Sequence, residues 1–455
     1  MHVSLLGLAL VEAAICYAAP FAAAAVRFGA VGDDVDHESL ALPASMFAMA
    51  MFASMAAMGL YAPRQRARTG GVTVRLVAAA MLASLMIAVL VYALPGVEFG
   101  RGILLLTVLG AVGGCFIARM ALMHVLDEEL MKRRVLVYGA GRRAQSLMQL
   151  RRRTDRRGFH VVGFVCGSDA EILVPKQLAL DTGGSLYQLA RTHNASEIVV
   201  ALDDMRKSLP IEALLHCRVR GLNVIDIVSF LERETGKLRI DIVNPSWLIF
   251  SGGFRRNPLR EGLERGFDVI AALLLLALAW PLMLLTAVAI KLEDGWRAPV
   301  FYRQERVGLE GRHFMILKFR SMRIDAEQDG RAAWASENDP RVTRVGALIR
   351  KLRIDELPQL FNVLAGDMCF VGPRPERPQF VQALGEKIPY YQERHWVKPG
   401  ITGWAQLCYP YGASERDAKE KLQYDLYYVK HRNLGFDLMI LLETAEVVLW
   451  GRGAR

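Results

Sequence analysis

Two adjacent acids in the last third of the chain have the surroundings that phosphoryl-transfer chemistry needs. Asp355 and Glu356 follow three basic residues in the segment 350–353 and precede Leu-Pro. One carboxylate of such a pair can act as a nucleophile, because aspartate forms aspartyl-phosphate intermediates, and the other can hold a divalent cation such as Mg²⁺. A pair of acids at a helix N-terminus, stabilised by the helix dipole, is the alternative. In isolation, the pair fits that alternative better.

Further residues suited to phosphate surround the acid pair in the sequence. Lys318 and Arg320 lie upstream in Lys-Phe-Arg-Ser-Met, and Arg374 lies downstream between two prolines. The prolines stiffen the backbone, so the guanidinium is held on a fixed platform, and a rigid arginine matches phosphate oxygens with two parallel hydrogen bonds. The turn-rich loop 398–406 ends in Trp-Ala-Gln and could close over a base or a sugar. Together these features favour a small substrate that carries phosphate.

The composition places these residues in a membrane protein with a large soluble part. Of 455 residues 53% are hydrophobic, and the mean hydropathy of +0.23 excludes a disordered scaffold and collagen-like material. The net charge of +10 is not arranged in basic stripes with interleaved aromatics, so we expect no nucleic-acid partner. The six cysteines are scattered, which favours a reducing compartment and excludes a disulfide framework. Four apolar runs, each long enough to span a bilayer as a helix, cover roughly residues 5–26, 40–61, 72–94 and 103–125.

The charges between these runs predict their orientation. Basic residues are concentrated in 64–68 and in 132–134, whereas 32–36 carries three acids and no basic residue. The positive-inside rule then places the N-terminus and everything after the fourth run in the cytoplasm. Glu12 lies inside the first run, and an intramembrane acid is a functional candidate by default. The alternative for Glu12 is an acid near a helix end that reaches the membrane interface.

After residue 134 the pattern changes to alternating strands and helices. Gly139 and Gly141 lie in a Gly-x-Gly-x-x-Ala turn, which could place a pyrophosphate at a helix N-terminus. The acid that would bind a ribose at the end of the second strand is missing, so a nucleotide site and a degenerate structural or regulatory module both stay open. The strands of this Rossmann-like α/β layer are predicted at 135–138, 160–165, 197–202 and 222–227.

A fifth apolar run, at 267–290, has Pro281 near its centre. Its length permits a membrane crossing, but a proline in a helix interior kinks or breaks the helix. Basic residues flank both ends. We therefore predict a re-entrant helix that breaks at Pro281 and returns to the same side, and a crossing helix is the alternative.

The C-terminal segments resemble, in order, the long-form bacterial polyprenyl-phosphate sugar-1-phosphate transferases, which are monotopic phosphoglycosyltransferases. This resemblance implies transfer of a sugar-1-phosphate from a UDP-sugar to polyprenyl (undecaprenyl) phosphate, with release of UMP, as the start of exopolysaccharide or O-antigen-type assembly. It also implies a multi-pass protein of the bacterial inner membrane with a cytoplasmic catalytic domain. The matching motifs lie at 265–268, 299–304, 306–308, 318–322, 355–359, 371–375 and 398–400.

The resemblance also implies roles for individual residues. Asp355 would attack the sugar-side phosphorus and form a covalent phospho-sugar intermediate, and Asp355 and Glu356 would hold Mg²⁺. Which sugar is transferred is not fixed by any motif. The candidate residues for binding substrate and phosphate are Lys318, Arg320, Arg353, Gln359, Asp367, Arg374 and Gln406.

The expected architecture is a membrane protein of the α plus α/β class. Four transmembrane helices fill residues 1–128, a Rossmann-like module fills 129–250, and a re-entrant helix with a mostly helical catalytic domain fills 260–455. Its expected partners are the lipid bilayer, a UDP-sugar and polyprenyl phosphate, and self-association through the membrane helices stays open.

Two other functions are compatible with parts of the sequence. A nicotinamide-dependent oxidoreductase or epimerase would use the glycine turn at 139–141, but the ribose acid and a Tyr-x-x-x-Lys pair are missing from the α/β region. A non-catalytic membrane scaffold or sensor would use the Rossmann-like module to bind a regulatory ligand. The sensor alternative predicts that Asp355 can be replaced without effect.

Overall fold

The computed structural model divides into two compact units, residues 1–235 and 236–455, and each is described by itself. The segments 32–36 and 64–68, on which the predicted orientation depends, lie outside the described residues. The structure describes residues 3–28, 37–61, 69–93, 101–125, 132–150, 155, 158–166, 172–181, 184–204, 209–243, 252–254, 257–323, 339–410, 412 and 414–450.

The first unit begins with four apolar helices. Each contains a stretch of 18 to 22 residues that is long and apolar enough to cross a membrane. A helix suits this environment because it satisfies all its backbone hydrogen bonds internally. The helices confirm the four predicted runs and are α1 (Val3–Phe28), α2 (His37–Ala57), α3 (Thr69–Ala93) and α4 (Arg101–Val125).

A buried ion pair connects α1 to α4. Arg119 binds the Glu12 carboxylate through two nitrogens, at 2.6 and 2.8 Å, and also donates to the carbonyl oxygen of Leu60 at 3.0 Å. Glu12 is fully buried and Arg119 is 4% exposed. Glu12 therefore faces a cation on a neighbouring helix, a structural role that neither of the two interpretations from the sequence included.

We expect Glu12→Leu or Arg119→Leu alone to destabilise the helical bundle by about 3–5 kcal/mol, because each leaves a buried charge without its partner. The double variant Glu12→Leu/Arg119→Leu should recover most of that loss, because two apolar side chains then face each other. Thermal unfolding of the purified protein in detergent measures this cycle. If the double variant folds but loses activity, the pair has a functional role and the structural explanation is wrong.

The rest of the first unit is the predicted Rossmann-like layer. Its five strands are all parallel, in the order β3-β2-β1-β4-β5. The central strands are apolar and buried, as expected for a parallel sheet covered by helices. Its elements are β1 (Arg133–Tyr138), α5 (Arg142–Met148), β2 (Phe159–Val165), β3 (Ala179–Leu180), α6 (Leu186–Thr192), β4 (Glu197–Val200), α7 (Ile211–Val219), β5 (Asn223–Asp226) and α8 (Ile227–Thr235).

The second unit contains one long apolar helix and a mostly helical domain. Its strands β6 (Phe301–Val307) and β7 (His313–Phe319) form an antiparallel hairpin, and β8 (Cys369–Val371) and β9 (Gly400–Thr402) form a parallel pair. A core that includes Trp404, Tyr424 and Tyr428 lies between the helices. The last helix packs on this core through Ile440, which is fully buried. The elements are α9 (Pro258–Asp294), β6 (Phe301–Val307), β7 (His313–Phe319), α10 (Arg344–Lys351), α11 (Gln359–Ala365), β8 (Cys369–Val371), α12 (Pro378–Lys387), β9 (Gly400–Thr402), α13 (Trp404–Cys408), α14 (Glu415–His431) and α15 (Leu434–Trp450).

Both ends of α9 are attached to this same domain. Near its start, Arg265 donates to the carbonyl oxygens of Val363 and Leu364, which end α11. Near its end, the Glu293 carboxylate accepts the backbone N–H groups of Arg344 and Val345, which begin α10. The fifth apolar run is therefore a helix held at both ends by one domain.

The helix α9 continues through Pro281, so the chain stays helical where a break was expected. The proline has no N–H, so one backbone hydrogen bond of the helix is missing there. Further along the helix, Thr286 donates its hydroxyl to the carbonyl oxygen of Leu282. Large side chains such as Leu278 and Trp280 are exposed beside the proline, as expected for a surface in contact with lipid.

Candidate active site

The acid pair lies in a 3₁₀ turn, Ile354–Glu356, between α10 and α11. Arg353 precedes this turn in the left-handed conformation, with φ at 58°, which costs a residue with a Cβ about 1 kcal/mol or more. This conformation ends α10 and directs the chain at once into the two acids. The acids are therefore not in the first turn of α11, which begins at Gln359. The interpretation as a pair of acids at a helix N-terminus describes their position in the short 3₁₀ helix, where both lie in the first turn, so their contacts must distinguish the two roles.

Glu356 is held by two cations. Its Oε1 accepts from Lys318 Nζ at 3.0 Å and from Arg374 Nη2 at 2.7 Å. Burial would raise the pKa of Glu356, but the charges of Arg374 and Lys318 outweigh it and hold the pKa well below its usual range. Burial also lowers the pKa of Lys318, and Glu356 partly offsets that effect. Glu356 thus stays ionised and fixed in position.

Asp355 has the opposite electrostatic environment. Burial and the neighbouring Glu356 charge raise the pKa of Asp355, and Lys318 and Arg353 only partly offset them. Its Oδ1 is buried and has no hydrogen-bond partner among the described residues. The two neighbouring carboxylates therefore differ: Glu356 is a fixed anion, whereas Asp355 keeps one oxygen without a hydrogen-bond partner in the described part of the chain.

The loop that carries Arg374 is held from behind by a second buried pair. Arg394 Nη2 donates to the Arg374 carbonyl oxygen at 2.9 Å and pairs with the Asp425 carboxylate at 2.8 Å. Arg394 also donates to the hydroxyl of Tyr391. Arg306 binds the same loop through the carbonyl oxygen of Pro375. The backbone of the Pro-Arg-Pro segment is therefore fixed by side chains as well as by its prolines.

The acid pair opens into a cavity of about 790 Å³. Its lining contains eleven basic and four acidic residues, an excess that suits a ligand with several negative charges. Leu275, from the apolar helix α9, lines the same cavity, so its wall extends from the charged centre to the lipid-facing helix. Of the residues predicted from the sequence, the cavity is lined by Lys318, Arg320, Arg353, Asp355, Glu356, Arg374 and Gln406.

Two predicted residues do not line this cavity. Asp367 is exposed, because it follows Gly366, which ends α11 in the left-handed conformation and turns the chain away. Gln359 is 3% exposed and lies at the start of α11 in the protein interior. Neither residue lines the cavity that contains the acid pair, and their roles as substrate ligands stay predictions.

The cavity also contains charged residues that are not among the candidate site residues predicted from the sequence. Arg306 belongs to one of the motifs that carry the resemblance, and the others, which include Lys421 and Asp425 on α14, lie outside these motifs. Arg320, predicted as an anion ligand, is 7% exposed and has two nitrogens without hydrogen-bond partners among the described residues. The additional charged lining residues are Arg306, Arg323, Arg341, Arg350, Glu376, Arg377, Arg394, Lys421 and Asp425.

The glycine turn of the Rossmann-like module is filled by the protein's own carboxylate. Asp203 accepts the backbone N–H groups of Arg142 and Arg143 at 2.9 and 2.8 Å, which are the groups that a phosphate would use. A Cβ at Gly141 would lie 2.1 Å from Asp203 Oδ2, and one at Gly139 would lie 2.6 Å from the Ala201 carbonyl oxygen. Close packing of the loop after β4 thus accounts for both glycines without a nucleotide.

Two family models match the chain. A model described as bacterial sugar transferase matches residues 259–451, and one described as CoA-binding domain matches residues 56–225. The first match contains the acid pair and the cavity. The second contains the Rossmann-like sheet.

Curated relatives match the chain over most of its length. Undecaprenyl-phosphate galactose phosphotransferase of Salmonella typhimurium is 32% identical over 73% of this chain and 71% of its own. UDP-glucose:undecaprenyl-phosphate glucose-1-phosphate transferase of Escherichia coli is 34% identical over 69% of this chain and 67% of its own. UDP-N-acetylgalactosamine-undecaprenyl-phosphate N-acetylgalactosaminephosphotransferase of Aeromonas hydrophila is 46% identical over 53% of this chain, and the match spans 56% of that relative.

Proposed function

This chain belongs to the bacterial sugar transferase family, and we propose that it transfers a sugar-1-phosphate from a UDP-sugar to undecaprenyl phosphate, releasing UMP. The observation that carries this proposal is the different environment of the two acids. Glu356 is fixed by Lys318 and Arg374, whereas Asp355 Oδ1 is buried and has no hydrogen-bond partner among the described residues. The names of the relatives describe this reaction with different sugars. The product would start the assembly of an exopolysaccharide or an O-antigen-type glycan.

In the first step, a carboxylate oxygen of Asp355 attacks the sugar-side phosphorus of the UDP-sugar. The new bond joins Asp355 to that phosphorus, and the bond to the bridging oxygen breaks, so UMP leaves with the electron pair. The basic cavity residues stabilise charge that develops on the phosphate oxygens. Arg374 is suited to this task because its backbone is fixed by Arg394.

In the second step, a phosphate oxygen of undecaprenyl phosphate attacks the same phosphorus. The bond to Asp355 breaks, the carboxylate is regenerated, and the sugar leaves on a lipid diphosphate. This step needs a lipid chain and a phosphate to meet at the acid pair. The cavity provides for both, since Leu275 of the apolar helix α9 and the basic residues line the same space.

We propose Mg²⁺ as the cofactor of this site. The donor set fits a hard cation, because the buried Asp355 Oδ1 has no partner among the described residues and phosphate oxygens would complete the coordination. Asp355 and Glu356 would hold the ion, which when bound neutralises phosphate charge. The side chains of Lys318 and Arg374 contribute positive charge beside it.

We place the catalytic domain at the cytoplasmic face of the inner membrane. The helix α9 is held at both ends by one domain, through Arg265 and Glu293. A helix held in this way cannot separate its two ends across a hydrocarbon core of about 30 Å without taking a charged domain into lipid. The basic segments 64–68 and 132–134 favour the cytoplasmic side, where UDP-sugars are available.

The proposal is tested with membranes that contain the full chain, Mg²⁺ and a panel of UDP-sugars, with UMP release measured in the presence and absence of undecaprenyl phosphate. We expect multiple turnovers with one sugar when the acceptor is present, and a burst of no more than one UMP per protein when it is absent. The covalent route is wrong if no UMP appears without the acceptor. If folded protein releases no UMP with any sugar, the scaffold or sensor alternative replaces the proposal.

The acceptor-independent burst should lose rate as the pH falls. Asp355 must be ionised to attack, and burial raises the pKa of Asp355, so the reactive form is lost at a higher pH than for an ordinary aspartate. Below that pKa the rate should fall about tenfold per pH unit. Rapid-quench measurements between about pH 5 and pH 8 check the profile. Lys318→Met removes a nearby cation and should therefore move the acidic limb of the pH–rate profile to higher pH. If the limb does not move, the titrating group is not Asp355.

A further inference from the structure

A short segment before the family match is part of the catalytic unit. Residues 236–243 directly follow α8 and lie outside the bacterial sugar transferase match, which begins at residue 259. Leu238 is fully buried, and Ile240 and Val243 are 8% and 7% exposed. The segment is therefore packed against protein and does not behave as a solvated linker. We name residues 236–243 the brace.

The brace contacts α13 and α14. The Leu238 N–H donates to the Gln423 carbonyl oxygen at 2.9 Å, and Trp404 Nε1 donates to the Gly236 carbonyl oxygen at 2.7 Å. Lys237 pairs with Glu420 at 2.6 Å. A backbone hydrogen bond, an indole N–H and an ion pair thus attach the brace to both helices.

The other side of these helices forms a wall of the active-site cavity. On α14, Ala418, Lys421 and Asp425 line the cavity. Their spacing of three, four and seven residues places them on one helix face, and Glu420 and Gln423 lie on the opposite one. Gln406, on α13, lines the cavity as well, and its Oε1 is buried without a hydrogen-bond partner in the described chain. The brace therefore supports this wall from behind.

The wall is connected to the acid pair by fixed contacts. Asp425 pairs with Arg394, Arg394 donates to the Arg374 carbonyl oxygen, and the Arg374 side chain pairs with Glu356. Lys421 and the Gln406 amide are polar, so the wall that they form suits the nucleotide better than it suits a lipid chain. Asp355 lies in the separate turn Ile354–Glu356 and makes none of these contacts, so a small shift of α14 changes the position of the polar wall groups more than that of Asp355.

We propose that the brace positions the α13–α14 wall for binding of the UDP part of the donor, with Lys237 as a positioning residue. This proposal rests on the proposed function, since it specifies how the same site binds its donor. The brace lies outside the transferase match, and the proposal gives it a role in the affinity for the UDP-sugar. It predicts that disturbing the brace weakens donor binding and leaves the chemical step and acceptor binding nearly unchanged.

The test reverses the charges of the Lys237–Glu420 pair in the full-length membrane protein. Lys237→Glu places two acids together, and so we expect the KM for the UDP-sugar and the Kd for UDP to rise about tenfold, with kcat within about twofold. Glu420→Lys should act in the same direction. The double variant Lys237→Glu/Glu420→Lys should restore both constants to within about twofold of wild type.

A matched control lies on the same helix. Lys387 pairs with Glu415 near the start of α14 at 3.2 Å, and both side chains are largely exposed. Lys387→Glu should leave the KM for the donor unchanged, because exposed pairs contribute little. Trp404→Phe, which removes the N–H that binds Gly236 and keeps an aromatic ring, should raise the same KM without lowering kcat.

The outcomes separate this proposal from the proposed function. The brace proposal is overturned if Lys237→Glu leaves the KM and the UDP Kd unchanged, or if kcat and both KM values change together with the melting temperature. If the wild-type protein releases no UMP, the proposed function fails. In that case the Kd for UDP of Lys237→Glu, Glu420→Lys and the double variant still tests the brace proposal. Binding that is weakened in the single variants and restored in the double variant supports it, and equal affinities overturn it.

Discussion

Asp355→Asn is expected to abolish turnover with every UDP-sugar. The amide has nearly the shape of the carboxylate but is a poor nucleophile, so no phospho-sugar intermediate can form. Loss of a covalent nucleophile typically reduces the rate by about four orders of magnitude or more, which is the largest effect that we expect for any single substitution. Steady-state UMP release measures the loss, and the acceptor-independent burst should disappear with it.

The burst makes this prediction specific to the chemical step. Glu386→Gln is a matched control, because it also removes one negative charge and Glu386 is exposed on α12. We expect this control to give a normal burst. An Asp355→Asn protein that binds UDP but gives no burst supports the nucleophile. A burst of normal size in that variant would remove Asp355 from the mechanism, and the pair would then serve only to organise charge.

Asp355→Asn should not unfold the protein. Burial raises the pKa of Asp355, which means that its ionised form is disfavoured in the folded state, so a neutral amide relieves an electrostatic cost. We therefore expect an equal or slightly higher melting temperature for the variant. Loss of activity without loss of stability separates a chemical role of Asp355 from a structural one.

The features that the sequence predicts well are those with a local pattern. The four membrane helices follow from continuous apolar runs, and the strands at 133–138, 159–165, 197–200 and 223–226 match short apolar segments to within a few residues. The ordered motifs at 318–322, 355–359 and 371–375 identify the family. The two-residue strand Ala179–Leu180 was not predicted, because two residues are too few to show a periodicity.

The features that the sequence does not predict depend on contacts between distant residues. Arg142 and Asp203 are 61 positions apart, so the pattern of the glycine turn cannot show that a carboxylate fills it. Arg394 and Asp425 lie on separate elements, and only the fold shows that they support Arg374. Burial is also set by the fold: Asp367 lies between the motifs 355–359 and 371–375, which contain cavity residues, yet it is exposed.

Glu356→Gln is expected to reduce both stability and activity. The carboxylate compensates two partly buried cations, Lys318 at 3.0 Å and Arg374 at 2.7 Å. Removing one partner of a fully buried charged group typically costs about 3–5 kcal/mol, and we expect a smaller loss here because Lys318 and Arg374 are partly exposed to solvent. The activity should fall by about two to three orders of magnitude, because Arg374 is no longer fixed beside the reacting phosphate.

A second substitution separates the two effects. Lys318→Met removes one of the stranded cations and is nearly isosteric, so Glu356→Gln/Lys318→Met should recover part of the lost melting temperature. It should not recover activity, because neither the fixed anion nor the Lys318 charge is restored. Recovery of stability and activity together would mean that Glu356 acts only through folding. A melting temperature that does not change in Glu356→Gln would show that the cations find other partners and that the pair is not coupled as described.

The pH dependence of stability gives an independent check on Glu356. A carboxyl group whose pKa is lower in the folded state than in the unfolded chain stabilises the fold above the unfolded pKa, and this contribution is lost as the pH falls toward the folded pKa. Arg374 and Lys318 lower the pKa of Glu356 in this way, outweighing its burial. Wild type should therefore lose melting temperature as the pH falls below about 4.5, the range in which an unfolded glutamate takes up its proton. Glu356→Gln cannot be protonated there, so the difference between the two proteins should shrink with acidification, and a constant difference would contradict the ionised Glu356 on which the proposed site depends.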